Sequence, residues 1–451
     1  MYMKICMTNI SAVDRDPLER SLFHAYQELM DESWILRFLV ILFAYSTVGI
    51  PAFFVVRYIQ KRYRRFDTDE CRRSCLTSFL VRFSIGLDRK EYLPVATTGD
   101  AQLLSKDSTL TAVSGEQRFL KDCFALGFCF FGIQSSLIVM GFLQERLMTQ
   151  GYRRISDDSE AGGVVVEEKF GDTQFLMLMN RLFAIVIYGT YIFYNRRRQP
   201  AHVSPYYVHS YTSLSNTMSS WCQYEALKYV SFPTQTVCKA SKIIPTMIMG
   251  RIVRSEHYNI WEFINALALA FGASLFFLSS SHARQSSSAA SSDFGMTVSG
   301  LVLMAGYLAF DAFTPNWQRS LFDTKPKISK YQMIFGTSVF SAIFCIVSLA
   351  EQATLFSSFD FFFSHDGFPR DVFLLSFSGA VSQMFIYTTI ERFGPIVLTV
   401  IMTIRQMLSI IVSTVYFGHE MTIYGAFGFL IVFGSIFLGN YRKYVRKSAQ
   451  K

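Results

Sequence analysis

The chain has 451 residues, of which 51% are hydrophobic and only 17% are charged. A soluble protein usually carries about 25% charged residues, so this composition argues against a soluble fold and favours a chain that crosses a membrane several times. The net charge of +9 points to basic loops and not to a nucleic-acid partner, because the Lys and Arg residues flank apolar runs instead of forming one stripe.

Eleven apolar stretches are each long enough to cross a bilayer as a helix, which needs roughly 20 residues. The first stands apart from the other ten, behind a long polar segment. The predicted spans are 34–56, 119–143, 173–194, 203–224, 232–250, 258–281, 295–317, 331–350, 371–390, 394–417 and 421–440. The sequence therefore predicts an all-α, polytopic membrane protein with a ten-helix bundle and one extra N-terminal transmembrane helix.

Lysine and arginine in the loops predict the orientation, because cytosolic loops carry the excess of basic residues. The segment 57–118 opens with a basic run at Arg57, so we expect a cytosolic loop, and its weak periodicity predicts partial disorder. Basic residues recur in every second loop after it, with 144–172 as the mixed exception. Residues 1–33 are therefore predicted to be lumenal, and the basic tail 441–451 cytosolic.

The ten core spans divide into two groups of five, 119–281 and 295–440, joined by the Ser-rich loop 282–294. An odd number of helices per half gives the halves opposite membrane orientations, an inverted repeat that is common in transporters. The fourth span of each half contains a proline followed by a cation. The pairs are Pro233 with Lys242 and Pro395 with Arg405.

Two lysines lie inside the apolar stretch 232–250. Lys239 and Lys242 are three residues apart and so share one helix face. A charge at the bilayer centre costs about 2.5–3.5 kcal/mol on insertion scales, which favours a position facing a cavity and an anion. The alternative is that Lys242 extends its head group to the interface. Pro245 predicts a kink, because proline has no backbone N–H.

Arg405 lies near the middle of its span, where its planar guanidinium either binds a substrate phosphate or pairs with Asp311. Aromatic and amide side chains are further candidates for binding a nucleotide base, although aromatic residues near helix ends also form interfacial belts. These candidates are Tyr211, Asn216, Gln223, Tyr224, Tyr307 and Asn316, and Asp311 and Gln406 are two further polar candidates for substrate binding. The sequence contains no phosphate-binding loop and no readable catalytic or metal-ligand cluster, so it predicts no catalytic residue, no metal and no cofactor.

Several short stretches match motifs of a known transporter family. They are 215–216, 219–228, 232–235, 239–242, 305–311, 316–318 and 401–406. Together they resemble the nucleotide-sugar transporter family, within the drug/metabolite transporter fold, and in particular its branch that carries 3′-phosphoadenosine 5′-phosphosulfate (PAPS). The resemblance covers roughly residues 119–440 and also the separate N-terminal span.

The resemblance implies transport of PAPS from the cytosol into the Golgi lumen by alternating access, in exchange for adenosine 3′,5′-bisphosphate or AMP. Lys239, Lys242 and Arg405 match the positions where this family places cations for the substrate's phosphates. The alternative is an exchanger of ATP and ADP, or of nucleotide sugars, in the endoplasmic reticulum or Golgi. A membrane enzyme and a channel are the other classes considered. We expect the lipid bilayer and a nucleotide as partners and no nucleic acid; a homo-oligomer is left open.

Overall fold

The computed structural model is mostly helical. It describes residues 34–63, 75–86, 115–153, 167–196, 199–200, 204–226, 228–230, 232–282, 294–324, 328–351, 354–416 and 423–449. Within these ranges, six helices are long and apolar enough to cross a membrane. They are Leu120–Thr149, Thr173–Tyr194, Ile260–Ser279, Val298–Asp323, Lys330–Ala350 and Phe368–Phe393. The chain is therefore a polytopic helical membrane protein, as its composition predicts.

The described part of the chain forms fourteen helices. In chain order they are α1 (Trp34–Tyr63), α2 (Cys75–Ser84), α3 (Gly115–Thr149), α4 (Thr173–Tyr194), α5 (Val208–Ala226), α6 (Phe232–Ala240), α7 (Ile243–Arg254), α8 (Ile260–His282), α9 (Phe294–Asp323), α10 (Lys330–Glu351), α11 (Leu355–Ser364), α12 (Phe368–Phe393), α13 (Pro395–Tyr416) and α14 (Ile423–Ala449). Two short strands, β1 (Gly151–Arg153) and β2 (Glu167–Lys169), pair antiparallel with Tyr152 opposite Glu168.

Large apolar side chains on the outer face of α3 are left uncovered. Phe124, Phe131 and Phe142 are 78%, 72% and 66% exposed. A water-soluble surface rarely leaves so many neighbouring aromatic side chains exposed, whereas a lipid-facing surface requires apolar side chains. The exposure of α3 therefore supports a position against hydrocarbon.

One compact unit consists of the described residues within 1–93, 135–210 and 334–383. Its core is rich in aromatic side chains, among which Phe175 and Phe368 are fully buried. The Asp371 carboxylate is buried beside this core, where it accepts a hydrogen bond from the Tyr152 hydroxyl at 3.1 Å and lies 3.5 Å from Arg146. Burial, followed by the nearby Asp371 charge, raises the pKa of the Tyr152 phenol, so this hydroxyl stays protonated and donates.

The second compact unit consists of the described residues within 94–134, 211–333 and 384–451. Its core joins α8 to α13 and α14, with Ala273, Met407 and Val432 fully buried. Helices α8 and α14 approach closely at two glycines. A Cβ on Gly428 would lie 2.6 Å from the Gly272 carbonyl oxygen, so only glycine fits there.

The prediction of one continuous helix over 232–250 is wrong. The chain forms α6 and α7 with a break at Ser241 and Lys242. Pro245 has no N–H to donate to the Ser241 carbonyl, which accepts instead from the Ile244 N–H at 3.1 Å. The regular helical hydrogen-bond pattern is therefore interrupted at Ser241 and Lys242, where the chain forms a hydrogen-bonded turn in which the Lys242 backbone keeps helical dihedral angles.

Several segments predicted as loops contain regular structure. The segment 57–118 contains α2, 144–172 contains the β1–β2 hairpin, and the connection after α10 contains α11. Helix α14 continues through most of the predicted tail, to Ala449. The polar span 203–224 begins as a helix only at Val208. The predicted segment 1–33 lies outside the described residues.

Candidate substrate site

The break between α6 and α7 carries both lysines of the predicted anion site. Lys239 lies in the last turn of α6, and Lys242 is the residue that precedes α7. The Lys242 Nζ lies 3.3 Å from the Asp311 Oδ2 on α9, an ion pair in which the side chains are 17% and 34% exposed. Lys239 is half-buried and interacts electrostatically with both members of that pair. A discontinuous helix with charged residues at its break is a typical ion- and substrate-binding element of transporters.

Hydrogen bonds to neighbouring helices fix the position of α9 next to the break. The Ser215 hydroxyl on α5 donates to the Phe310 carbonyl at 2.8 Å, and the Ser219 hydroxyl donates to the Tyr307 carbonyl at 3.4 Å. From α9, the Asn316 amide donates to the Thr246 carbonyl on α7 at 2.9 Å. Small hydroxyl and amide side chains suit such contacts, because they allow helices to approach closely in a membrane.

Arg405 lies on α13 and is partly buried. Its Nε has no hydrogen-bond partner in the part of the chain that the structure describes. The sequence left Asp311 open as a structural partner for Arg405, but Asp311 pairs with Lys242 instead. A buried guanidinium donor without a partner is costly and suits an anionic ligand.

The other predicted binding residues are distributed over two faces of α9 and along α5. Tyr307 is one helical turn from Asp311 and shares its face. Tyr211 packs edge-on against Trp317, with ring centroids 5.5 Å apart. Residues advance about 100° each along a helix, so Trp317 lies roughly 120° around α9 from Asp311. The structure therefore places Tyr307 on the face of α9 that carries Asp311, and Tyr211 in a separate aromatic group.

The positions of five further predicted residues do not separate a binding role from a structural one. Asn316 is buried, and its amide group also donates to the Ala312 carbonyl at 2.9 Å. Asn216 and Tyr224 are exposed on α5. The backbone carbonyl of Gln223 accepts from the Gln235 side chain at 3.1 Å, and Gln406 is half-buried beside Arg405 in the chain.

Sequence reasoning missed two groups of residues. Phe313 stacks on Trp317 with ring centroids 5.5 Å apart, and the only signal for this contact is their four-residue spacing on α9. From the sequence, Arg254 and Arg319 indicate only the orientation of the loops. Both pair with Asp323, at 4.0 Å and 3.2 Å, and Arg319 also donates to the Ile390 carbonyl at 2.9 Å. These arginines connect the ends of α7, α9 and α12.

A cavity of about 1390 Å³ lies in the second unit, and its lining includes Ile243 and Ile404, the chain neighbours of Lys242 and Arg405. Its walls are mostly apolar side chains of α3, α8, α13 and α14, with Arg254, Arg319 and Arg442 among its polar residues. Arg442 lies over the ring of Trp261, 4.6 Å from the ring centroid. Neither lysine of the helix break lines this cavity, so we assign the candidate site by charge and not by volume.

A sequence profile of the UAA transporter family matches residues 125–443. The chain therefore belongs to the UAA transporter family. The adenosine 3′-phospho 5′-phosphosulfate transporter 1 of Caenorhabditis elegans is 52% identical over 415 residues, which are 92% of this chain and 93% of that protein. The Homo sapiens protein of that name is 38% identical over 418 residues, 92% of this chain and 89% of that protein. UDP-galactose/UDP-glucose transporter 5 of Arabidopsis thaliana is 32% identical over 345 residues, 76% of this chain and 93% of that protein.

Membership of the UAA transporter family confirms the resemblance to nucleotide-sugar transporters that the motifs indicate. Its members are transporters and not enzymes, which excludes the membrane-enzyme alternative. Among the described residues, no cluster of three or more His, Cys, Asp and Glu side chains could hold a metal ion.

Proposed function

We propose that this UAA family member carries PAPS from the cytosol into the Golgi lumen in exchange for an adenosine phosphate, and so supplies a sulfate donor to that compartment. The observation that carries the proposal is the pair of lysines at the break between α6 and α7, where Asp311 neutralises Lys242. The names of the relatives that are 52% and 38% identical support PAPS as the substrate.

The charge balance of the site favours an anion with several charges. Lys239, Lys242 and Arg405 contribute three positive charges, and Asp311 contributes one negative charge. In the described part of the chain, neither Lys239 nor Arg405 forms an ion pair. PAPS carries two phosphate groups and a sulfate, and these anionic groups would neutralise Lys239 and Arg405, the two cations that Asp311 leaves without a counter-charge.

The same excess of positive charge in the candidate site favours exchange over one-way transport. Each unneutralised cation costs about 2.5–3.5 kcal/mol at bilayer depth on insertion scales. An empty site would keep two such charges during reorientation, whereas a bound nucleotide neutralises them. We therefore expect the return step to be fast only when an adenosine phosphate occupies the site.

We further propose a ten-helix transport unit of two inverted halves with α1 as an additional span. The first half would contain α3, α4, α5, the broken helix α6–α7, and α8; the second would contain α9, α10, α12, α13 and α14. Each half then has five spans, which gives the halves opposite orientations. The basic loops favour a lumenal N-terminus and a cytosolic C-terminus.

Competition between nucleotides in proteoliposomes tests the proposed substrate. Labelled PAPS uptake by the purified protein should saturate, and unlabelled PAPS and adenosine 3′,5′-bisphosphate should compete better than ATP or UDP-galactose. Lys242→Ala should lower the uptake rate about 30-fold or more, because it removes one member of a partly buried charged pair. Arg251→Ala is the matched control, since Arg251 is exposed near the end of α7 and should keep the wild-type rate.

The second candidate function is exchange of a nucleotide sugar. The Arabidopsis relative named UDP-galactose/UDP-glucose transporter 5 is the observation that favours it. Saturable UDP-galactose uptake without PAPS uptake in the same vesicles would reject the PAPS proposal and support this alternative.

A further inference from the structure

Asp311 is the carboxylate that faces the broken helix. We propose that Asp311 is a resident counter-ion of the substrate site: it neutralises Lys242 when the site is empty and gives up that ammonium to a substrate phosphate. Asp311 would then be a positioning residue that sets substrate affinity. The inference rests on the proposed function only in requiring that the site takes an anionic nucleotide.

Hydrogen bonds to α5 and α7 fix the position of the α9 backbone around Asp311. The Phe310 carbonyl, one residue away, accepts from Ser215, and Asn316 ties the same helix to Thr246 on α7. Lys242, by contrast, lies outside both regular helices and carries a long, flexible side chain. When the pair separates, we therefore expect Lys242 to move and Asp311 to stay.

The pair is arranged so that a phosphate can replace the carboxylate. One Asp311 oxygen contacts the ammonium at 3.3 Å, and about a third of the Asp311 side chain is exposed. An ammonium has three donors and no fixed plane, so it can turn to a new acceptor. A phosphate group carries about −1.5 to −2 charges, against −1 on Asp311, so the phosphate is the stronger partner.

This arrangement predicts that Asp311 weakens substrate binding. In the wild type, substrate must displace Asp311 from Lys242 and then lie beside a released carboxylate. A residue with a purely structural role would act in the opposite direction, because its loss would disorder Lys242 and weaken binding. The sign of the change in Kd therefore separates the two roles.

Equilibrium binding of labelled PAPS to purified full-length protein measures that sign. Asp311→Asn keeps the shape and removes the charge, so Kd should fall about two- to fivefold, the range expected for loss of a partly exposed charge contact. Asp360→Asn is the matched control, because Asp360 is an exposed carboxylate on α11, and its Kd should equal the wild-type value. An unchanged or higher Kd in folded Asp311→Asn would overturn the proposal.

A second pair of variants tests the proposal even if the single variant Asp311→Asn does not fold. In Lys242→Gln the carboxylate is no longer neutralised by the lysine and repels the nucleotide, so Lys242→Gln/Asp311→Asn should bind PAPS more tightly than Lys242→Gln. Equal or weaker binding by the double variant would also overturn the proposal. If the wild type binds UDP-galactose and not PAPS, the proposed substrate is wrong, and the same variants with labelled UDP-galactose still decide the role of Asp311.

Discussion

Three basic side chains inside the membrane-spanning part of the chain differ in the partners that they have. Lys242 has an acidic partner at 3.3 Å, and Arg319 has both Asp323 and the Ile390 carbonyl. Arg405 has a buried Nε without a partner among the described residues. An unpaired buried donor raises the free energy of the folded protein, so we expect an anionic ligand to stabilise Arg405 more than the other two side chains.

Replacement of Arg405 should therefore separate function from stability. Arg405→Gln should lower PAPS uptake about 30-fold or more, because a charged contact to the substrate is lost, while the thermal midpoint in detergent stays at or above the wild-type value. Arg319→Gln is the contrasting variant, and loss of its charged hydrogen bonds should cost about 1.5–3 kcal/mol of stability. Equal losses of stability in the two variants would show that Arg405 is a structural residue.

The sequence predicts three cations for the candidate site but not the acidic partner that the structure gives to Lys242. Lys239, Lys242 and Arg405 stand out because a charge in an apolar stretch needs a reason. The choice of Lys242 over Arg405 as the partner of Asp311 depends on helix packing, since Lys242 and Asp311 are 69 residues apart in the chain. The role of each cation in binding stays a prediction.

At the scale of helices, hydropathy predicts the six candidate membrane spans found among the described residues but not the break between α6 and α7. Pro245 predicts a kink, yet the length of apolar sequence on both sides of it hides the break at Lys242. Helix α11 was missed for a different reason. Its ten residues are too few to span a membrane, so a search for spans passes over it.

Close contact between α8 and α14 gives a prediction about packing. Gly428→Ala should lower stability by about 1–3 kcal/mol, because the new Cβ would meet the Gly272 carbonyl oxygen at 2.6 Å and the Phe276 nitrogen at 2.7 Å. Gly434→Ala on the same helix is the control, since no atom lies within 4 Å of its added Cβ. Thermal unfolding in detergent measures both changes. Equal midpoints for the two variants would contradict the close approach of the helices.

At the scale of the whole molecule, composition alone indicated the class of protein. A chain with 51% hydrophobic residues and basic loops is typical of a helical membrane bundle, because helices satisfy their own backbone hydrogen bonds in lipid. Composition could not indicate the hairpin that places Tyr152 against Asp371, because that contact joins residues 219 positions apart. The inverted arrangement of the halves and the Golgi location stay predictions.

The proposed function is exchange of PAPS for an adenosine phosphate through the site at the broken helix. The most direct measurement is the initial rate of labelled PAPS uptake into proteoliposomes that contain adenosine 3′,5′-bisphosphate or no nucleotide. We expect saturable uptake that is several-fold faster into the loaded vesicles, because an occupied carrier returns faster than an empty one. Equal rates into loaded and empty vesicles would contradict exchange, and no PAPS uptake into either would contradict the substrate.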